Sequence, residues 1–126
     1  AWIAGETQAL ALASKEAIAA RKKQWTLSEL QPIGERVYLK HCATCHQATG
    51  LGQAGKYPAL SGSSIVIGRI EDHLDRVMNG KANTEMQAWA PQLSDLDLAA
   101  VMTYERNSWS NHTGEVIQPL MVYQAR

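Results

Sequence analysis

Phenylalanine is absent from this 126-residue chain, and aromatic residues make up only 6% of it. Aromatic side chains usually supply much of the area that a small core buries, so we expect another group to fill part of the interior. The chain also has no excess of one charge, because its twelve basic and twelve acidic residues cancel. A general nucleic-acid binder needs a basic surface, so this balance argues against that function. No apolar run reaches the roughly 18 residues of a membrane span, and two cysteines allow at most one disulfide.

The composition changes near residue 27. Residues 1–27 are rich in alanine and carry four basic and two acidic side chains, whereas residues 28–126 carry eight basic and ten acidic ones. The high helix propensity of alanine predicts a helix from about Gln8 to Gln24, and its weak apolar stripe predicts a linker or arm outside the core. Because the chain has no initiator methionine and no signal-peptide pattern, we expect a mature product or a piece of a longer protein.

Residues 28–126 are predicted to form a small all-α domain, with a C-terminal tail from about residue 108. We predict helices at about Pro32–Lys40, at Ile65–Met78 and from Ser94 to near residue 107. Pro32 suits a first helical turn, and Asn79-Gly80 is typical of a helix end. The apolar stripe of the last helix is predicted to comprise Leu96, Ala100, Val101 and Tyr104. The stretches between these helices, residues 49–64 and 81–93, are long enough to suggest loops that serve a site.

The motif that carries the chemistry is Cys42-Ala43-Thr44-Cys45-His46. This C-x-x-C-H pattern is typical of c-type haem attachment. Cysteines three positions apart in a helical turn present both sulfurs on one side, where they can bond the two vinyl carbons of a porphyrin. The adjacent His46 then points at the iron as the proximal ligand. We therefore predict one covalent haem c, which also fills the interior that the composition leaves thin.

Three other interpretations of this motif stay open. A thioredoxin-like redox pair would need a strand–helix–strand setting, for which the sequence shows no pattern. A zinc site would need a fourth ligand from elsewhere in the chain. The candidates for that ligand are His41, His73 and His112. A plain disulfide would leave the aromatic-poor core unexplained.

The sixth iron ligand is predicted to be Met86. It lies in an irregular loop forty residues after His46, whereas Met78 and Met102 fit helix stripes as packing residues. Met121 is in the tail. His73 is the rival ligand, although we expect it on a helix surface, and an open or water-bound iron is the other alternative. His41 lies beside the attachment motif, where it cannot reach over the porphyrin.

In this order and spacing, about residues 30–107 resemble a class I cytochrome c. The resemblance rests on Gly34–Tyr38, the C-x-x-C-H turn, Tyr57-Pro58-Ala59-Leu60, Met86 and the closing helix through Tyr104. It implies a small helical bundle around one haem c, with two helices crossing at Gly34 and Tyr104. It also implies that the carbonyl of Pro58 accepts a hydrogen bond from the proximal histidine. Tyr57 and Trp89 are further candidate cofactor contacts, and Trp89, Lys56 and Arg69 are candidate partners of the haem propionates.

A narrower resemblance is to the haem c domain of subunit II of bacterial caa-type cytochrome c oxidases. It rests on residues 84–89, 93–95, 103–109 and 114–119. It implies a module that is not itself catalytic and that accepts electrons from a soluble c-type cytochrome or similar donor. The acceptor would be the dinuclear copper centre of the same subunit, among other oxidase subunits. The domain would face the periplasm, tethered by N-terminal membrane helices that this chain lacks, with residues 1–27 as the linker.

Two other kinds of function remain as alternatives. Within electron transfer, the chain would be a free-standing periplasmic carrier or the haem domain of a quinoprotein dehydrogenase. In a different class, it would be a haem peroxidase or a ligand sensor, either of which needs an open or labile sixth position.

Overall fold

The computed structural model describes residues 15–126, and this part of the chain is helical. Its helices are α1 (residues 15–22), α2 (Leu27–His41), α3 (Ala43–His46), α4 (Ile70–Asn79), α5 (Asp95–Arg106) and α6 (Pro119–Ala125). Within these residues the strand-like pairing is limited to one isolated bridge between Gln53 and Tyr57. The predicted all-α fold class is confirmed. None of the described helices is both long enough and apolar enough to cross a membrane.

Helix α5 lies at the centre of the domain, against α2, α4 and α6. Because three helices surround it, α5 is buried on all sides rather than along one stripe. Leu98 and Met102 are completely buried, whereas Leu96 and Tyr104 from the predicted stripe are only half-buried. The predicted stripe is therefore wrong at Leu96, whereas Tyr104 packs against the core. Met78 and Met102 both lie in the core, as predicted for packing residues.

Helices α2 and α5 cross at Gly34. A Cβ atom at this position would lie 2.6 Å from Cβ of Tyr104 and 2.8 Å from the carbonyl carbon of Ala100. The backbones can approach this closely only because residue 34 has no side chain. The crossing at Gly34 and Tyr104 that the family resemblance implied is confirmed.

Helix α2 begins five residues before its predicted start. Thr26 and Glu29 form a reciprocal cap: the backbone N–H of Glu29 donates to Thr26 Oγ1 at 3.3 Å, and the N–H of Thr26 donates to Glu29 Oε1 at 3.0 Å. This capping box satisfies two backbone donors at once. Pro32 consequently lies inside the helix, and its predicted place in the first turn is wrong.

Helix α4 begins at Ile70, five residues after its predicted start. The guanidinium of Arg106 explains the difference, because it donates at 2.7 Å to the carbonyl oxygens of both Val66 and Gly68. In a continuous helix these carbonyls would accept from backbone N–H groups four residues later. The predicted end of this helix is confirmed: α4 ends at Asn79, and Gly80 follows with a φ of +72°.

The described part of the N-terminal arm is docked on the C-terminal part of the chain. The backbone N–H of Trp25 donates to Gln118 Oε1 at 2.8 Å, and Gln118 Nε2 donates back to the Trp25 carbonyl at 2.9 Å. Arg21 lies over the ring of Tyr123 at 4.0 Å and 3.5 Å from the carboxylate of Asp95. None of residues 15–27 is buried, so this part of the arm packs on the surface of the domain rather than entering its core, and the helix ends at residue 22 rather than at Gln24. Its predicted start at Gln8 lies outside the described residues.

The stretch predicted as a tail from about residue 108 completes the core. Ile117 and Val122 are fully buried against α5, and the Thr103 hydroxyl accepts a 2.9 Å hydrogen bond from the backbone N–H of Ile117. Pro119 opens α6, where its fixed φ and missing N–H suit the first turn. The boundary between arm and domain at residue 27 stays a prediction.

Candidate functional site

The C-x-x-C-H motif occupies the junction between α2 and α3. Cys42 ends α2 with a 2.8 Å hydrogen bond from its N–H to the carbonyl of Tyr38, and its own carbonyl accepts from the N–H of His46 at 3.0 Å. The predicted helical turn is therefore present. Both cysteines are half-buried, and no disulfide joins them.

Burial chiefly raises the pKa of the Cys42 thiol well above its ordinary value, with the Glu105 carboxylate adding to the effect. A thiol with a raised pKa stays neutral at physiological pH and is a poor nucleophile for disulfide exchange. Together with the absence of any strand–helix–strand unit in residues 15–126, this argues against the thioredoxin-like alternative. Nor do three or more His, Cys, Asp or Glu side chains gather there as a metal-binding group, so the zinc alternative has no support in the described chain.

The proximal histidine is oriented by a backbone carbonyl. His46 Nδ1 lies 2.9 Å from the carbonyl oxygen of Pro58, the contact that the family resemblance implied. A carbonyl can only accept, so Nδ1 carries a proton, and in the neutral tautomer that makes this contact the lone pair is on Nε2. This is the neutral imidazole form that coordinates a metal, held in place by its second nitrogen. The residues present therefore fit a haem iron at His46 Nε2.

Two glycines allow the loop that carries Pro58 to fold against the motif. Gly50 and Gly52 have positive φ values of 69° and 65°, and a Cβ on Gly52 would lie 2.7 Å from the carbonyl carbon of Pro58. The N–H of Gly52 donates to the carbonyl of His46 at 2.9 Å. The loop thus returns directly over α3 and places the acceptor beside His46.

Aromatic side chains from α2 and from the segment after α5 support this loop. Tyr38 donates to the Gln47 carbonyl at 2.6 Å, and Trp109 Nε1 donates to the Ala48 carbonyl at 2.8 Å. A Cβ on Gly50 would overlap the Trp109 ring at 2.5 Å, so the ring lies directly on that glycine. Sequence reasoning gave Trp109 no role at the site. A tryptophan beyond the last predicted helix offered no local signal for it.

Met86 is half-buried in the loop after α4. Its carbonyl accepts from the N–H of Lys81 at 3.0 Å, and its N–H donates to Thr84 Oγ1 at 3.2 Å. The loop rejoins α4 where the N–H of Trp89 donates to the Val77 carbonyl at 3.1 Å. Ligation of iron by Met86 stays a prediction.

The Met86 loop and the Pro58 loop are joined by a side-chain hydrogen bond. The hydroxyl of Tyr57 donates to the carboxylate of Glu85. This bond raises the pKa of Tyr57 to about 12, because the neutral phenol is the better donor to a carboxylate. The loop that carries Pro58 and the loop that carries Met86 are therefore joined through the immediate neighbours of these residues, Tyr57 beside Pro58 and Glu85 beside Met86.

His73 is buried rather than exposed, so the expected helix-surface position is wrong. Only 1% of the residue is accessible, and its Nε2 lies 2.8 Å from Glu105 Oε1. Its Nδ1 faces Arg106 Nη1 at 3.5 Å. Both ring nitrogens are thus engaged by α5, which leaves neither one free to coordinate iron.

The remaining candidates have contacts that do not involve the motif. The ring of Trp89 lies 5.1 Å from that of His41 and packs against the core cluster. Lys56 lies over the Tyr57 ring at 5.2 Å, and Arg69 pairs with Glu71 at 3.3 Å on the surface. Propionate contacts by Trp89, Lys56 and Arg69 stay predictions. A cavity of about 320 Å³ between α6 and the loop after α4 is lined by none of the predicted cofactor residues.

Comparison with known proteins places this geometry in a family context. The family profile described as "Cytochrome C oxidase, cbb3-type, subunit III" matches residues 30–104. The chain is 29% identical over 89 residues to a cytochrome c subunit of alcohol dehydrogenase (quinone) from Gluconobacter oxydans, and 31% identical over 88 residues to the subunit of the same name from Komagataeibacter europaeus. These matches cover 63% and 62% of this chain.

A third relative, a dihydro-heme d1 dehydrogenase from Pseudomonas aeruginosa, is 32% identical over 71 residues, or 56% of this chain. The three relatives are much longer than the chain, which spans 19% of each alcohol dehydrogenase subunit and 14% of the third.

Proposed function

Because this chain belongs to the cytochrome c family that matches residues 30–104, we propose that Cys42, Cys45 and His46 hold its haem c and that Met86 completes the iron coordination. When bound, haem c supplies a one-electron couple between ferric and ferrous iron. The thiols of Cys42 and Cys45 would hold the haem, each adding its sulfur to one vinyl carbon and its hydrogen to the other, so that no oxidant would be needed. The chain is thus an electron-transfer domain with a covalent cofactor.

The hydrogen bond between His46 Nδ1 and Pro58 carries this proposal. It fixes both the tautomer and the orientation of the imidazole. A thioether from Met86 on the opposite side would occupy the sixth position and favour the ferrous state. With His46 and Met86 both holding the iron, the domain would transfer electrons and would not activate a bound ligand.

Expression with the c-type maturation machinery tests the assignment. The wild-type chain should gain the mass of one haem and show the alkaline pyridine spectrum of a haem with both vinyl groups saturated. Cys42→Ala and Cys45→Ala should each retain one unsaturated vinyl group or lose haem altogether, and His46→Ala should lose the low-spin spectrum. His112→Ala, which removes an exposed histidine, is the matched control and should match wild type.

A carbon monoxide titration of the ferrous wild-type domain separates electron transfer from the peroxidase and sensor alternatives. We expect slow and weak binding at neutral pH, because the ligand must displace a side chain from iron. Rapid, tight binding by the folded protein would contradict the proposed coordination and favour a ligand sensor or an enzyme.

We propose further that this domain is part of a larger dehydrogenase on the periplasmic side of the membrane, where it relays electrons from a substrate-oxidising partner to the next carrier. The two relatives named as cytochrome c subunits of a quinone-linked alcohol dehydrogenase support this host. Covalent attachment of haem c, which bacteria carry out outside the cytoplasmic membrane, supports the location.

Subunit II of a caa-type oxidase is the second candidate host, and it is favoured by the resemblance of residues 84–89 and 114–119. The second of these segments packs against the domain itself, since Glu115 pairs with the buried guanidinium of Arg106 and Ile117 is fully buried. Stopped-flow mixing separates the hosts. The reduced domain should pass its electron quickly to a dinuclear copper domain only if the oxidase assignment is right. In a dehydrogenase, rapid reduction by a quinoprotein catalytic subunit is expected instead.

A further inference from the structure

The two loops that would flank the haem meet at one pair of side chains. Tyr57 directly precedes Pro58, whose carbonyl orients His46, and Glu85 directly precedes Met86. The Tyr57 hydroxyl donates to the Glu85 carboxylate across 28 positions of sequence. A neutral donor on a charged acceptor is a stronger hydrogen bond than a neutral pair.

The Tyr57 side of this contact is built on a rigid turn. The backbones of Gln53 and Tyr57 exchange two hydrogen bonds, each 2.9 Å long, and a third joins the N–H of Lys56 to the Gln53 carbonyl at 2.9 Å. Gly52 then ties the start of the turn to the carbonyl of His46. The phenol of Tyr57 is therefore held in a fixed place relative to the proximal ligand.

The Glu85 side is more weakly held. Among residues 15–126, the other hydrogen bonds of residues 81–88 run within the loop or to the neighbouring Gln92. Residues 81–85 are all exposed, and Met86 is half-buried. In the described chain the contact with Tyr57 is thus the hydrogen bond that connects this loop to the part of the site that carries His46.

We propose that Tyr57 is a positioning residue that acts through Glu85 to hold Met86 on the iron. The inference rests on the proposed function, since it takes Met86 as the sixth ligand. Movement of the Met86 loop away from the haem requires the Tyr57–Glu85 hydrogen bond to break. The pair therefore slows ligand exchange at the sixth position, while the iron ligands themselves are unchanged.

The experiment measures how fast imidazole replaces Met86 in the ferric holoprotein. At high imidazole concentration the rate reaches a limit set by dissociation of the methionine. Tyr57→Phe removes only the hydroxyl and should raise this limiting rate about tenfold, the size expected when a charge-assisted hydrogen bond is lost at a partly exposed site. Glu85→Gln should raise it less, because an amide oxygen still accepts. The double variant should be no faster than Tyr57→Phe alone.

Tyr123→Phe is the matched control, since Tyr123 is half-exposed and makes no side-chain hydrogen bond through its hydroxyl in the described chain. It should exchange at the wild-type rate, and the urea midpoints of all variants should agree closely. A wild-type rate for Tyr57→Phe, or effects of the two single variants that multiply in the double, would overturn the proposal. An iron–sulfur charge-transfer band that is missing in the wild type would overturn it too, together with Met86 ligation, but would leave haem attachment and electron transfer standing.

Discussion

Nε2 of His73 donates to Oε1 of Glu105 at 2.8 Å in the buried interface between α4 and α5. The two side chains are 1% and 5% exposed, and the fully buried guanidinium of Arg106 lies beside them. Arg106 also donates to the carboxylate of Glu115, which brings the segment after α5 to the same place. A buried polar group costs stability unless it is paired, so this network ties three parts of the chain to one arrangement.

Breaking this network should destabilise the domain strongly. Glu105→Ala leaves the buried Nε2–H of His73 without its acceptor. We expect a loss of about 3 kcal/mol in the free energy of unfolding, within the range for a buried pair that loses one partner. Glu105→Gln, which keeps an acceptor oxygen, should lose about 1 kcal/mol. Urea unfolding of the holoprotein measures both.

The control for this network is an exposed ion pair. Glu71 lies 3.3 Å from Arg69, and both side chains are more than 70% exposed. Glu71→Ala should leave the free energy of unfolding almost unchanged, since solvent screens such a pair. Equal losses for Glu71→Ala and Glu105→Ala would show that the buried network contributes nothing specific.

Contacts between residues far apart in the sequence, such as those of Arg106, decide which parts of the fold the sequence could predict. The haem motif, the Gly34–Tyr104 crossing and the start of α5 at Ser94 are local or family patterns, and the structure has each of them, with the Ser94 hydroxyl capping the helix. The start of α4 could not be predicted, because Arg106 takes the carbonyls of Val66 and Gly68 from a position about 40 residues away. Local propensity carries no information on such a contact.

Two other features of the structure differ from the sequence prediction, and the sequence indicated only the first of them. The start of α2 was readable from the Thr26–Glu29 capping box, but the sequence prediction gave weight to Pro32 instead. The docking of the arm was not readable. It depends on Gln118 reaching the backbone of Trp25, 93 positions away, and not on an apolar stripe.

Loss of the contact that docks the arm should lower the free energy of unfolding without changing the haem spectrum. Gln118→Ala would leave both the N–H and the carbonyl of Trp25 without their partner, and we expect a loss of about 2 kcal/mol in the free energy of unfolding. Gln124→Ala, which shortens an exposed glutamine on α6, the helix that Gln118 precedes, should lose almost nothing. The haem spectrum and reduction potential should be unchanged in both. A Gln118→Ala variant as stable as wild type would show that the arm is undocked in solution.

Gly34 should tolerate no side chain. In Gly34→Ala the new methyl group would meet Cβ of Tyr104 at 2.6 Å and the backbone of Ala100, which cannot rotate away. Alanine gains about 1 kcal/mol of helix propensity over glycine, but forced separation of the two helices should cost about 3 kcal/mol or more. A lower urea midpoint in the holoprotein checks this. An unchanged or higher midpoint would mean that the two helices pack less closely than the structure shows.

Replacement of Met86 tests the sixth ligand. Met86→Ala should abolish the iron–sulfur charge-transfer band and lower the reduction potential, because a thioether favours ferrous iron. Carbon monoxide should then bind the ferrous protein readily. Met121→Ala, at an exposed methionine of α6, should change none of these. If Met86→Ala kept the wild-type spectrum while His73→Ala altered it, the assignment of the ligand would be wrong.

The surface around the motif predicts how electron transfer depends on salt. Residues 47–55 and 87–90 contain no charged side chain, and Leu51 in the first of these segments is 64% exposed. The domain from residue 28 onward carries eight basic and ten acidic residues, so it lacks a dominant basic field. Charge-steered association falls steeply as salt rises, whereas contact through an uncharged patch does not. We therefore expect the second-order rate of reduction to change less than about threefold between low and physiological ionic strength.

Two purified c-type cytochromes of opposite net charge serve as donors in this measurement, because a patch without charge should favour neither. Leu51→Ser should slow reduction by both donors, since it removes apolar area from the contact. Ile67→Ser is the matched control, at an exposed apolar residue outside both uncharged segments, and should leave both rates unchanged. A hundredfold fall with salt for either donor, the size that charge steering can produce, would contradict an uncharged contact. It would point to two lysines close in sequence to these uncharged segments, Lys56 and Lys81, as the residues that guide the encounter.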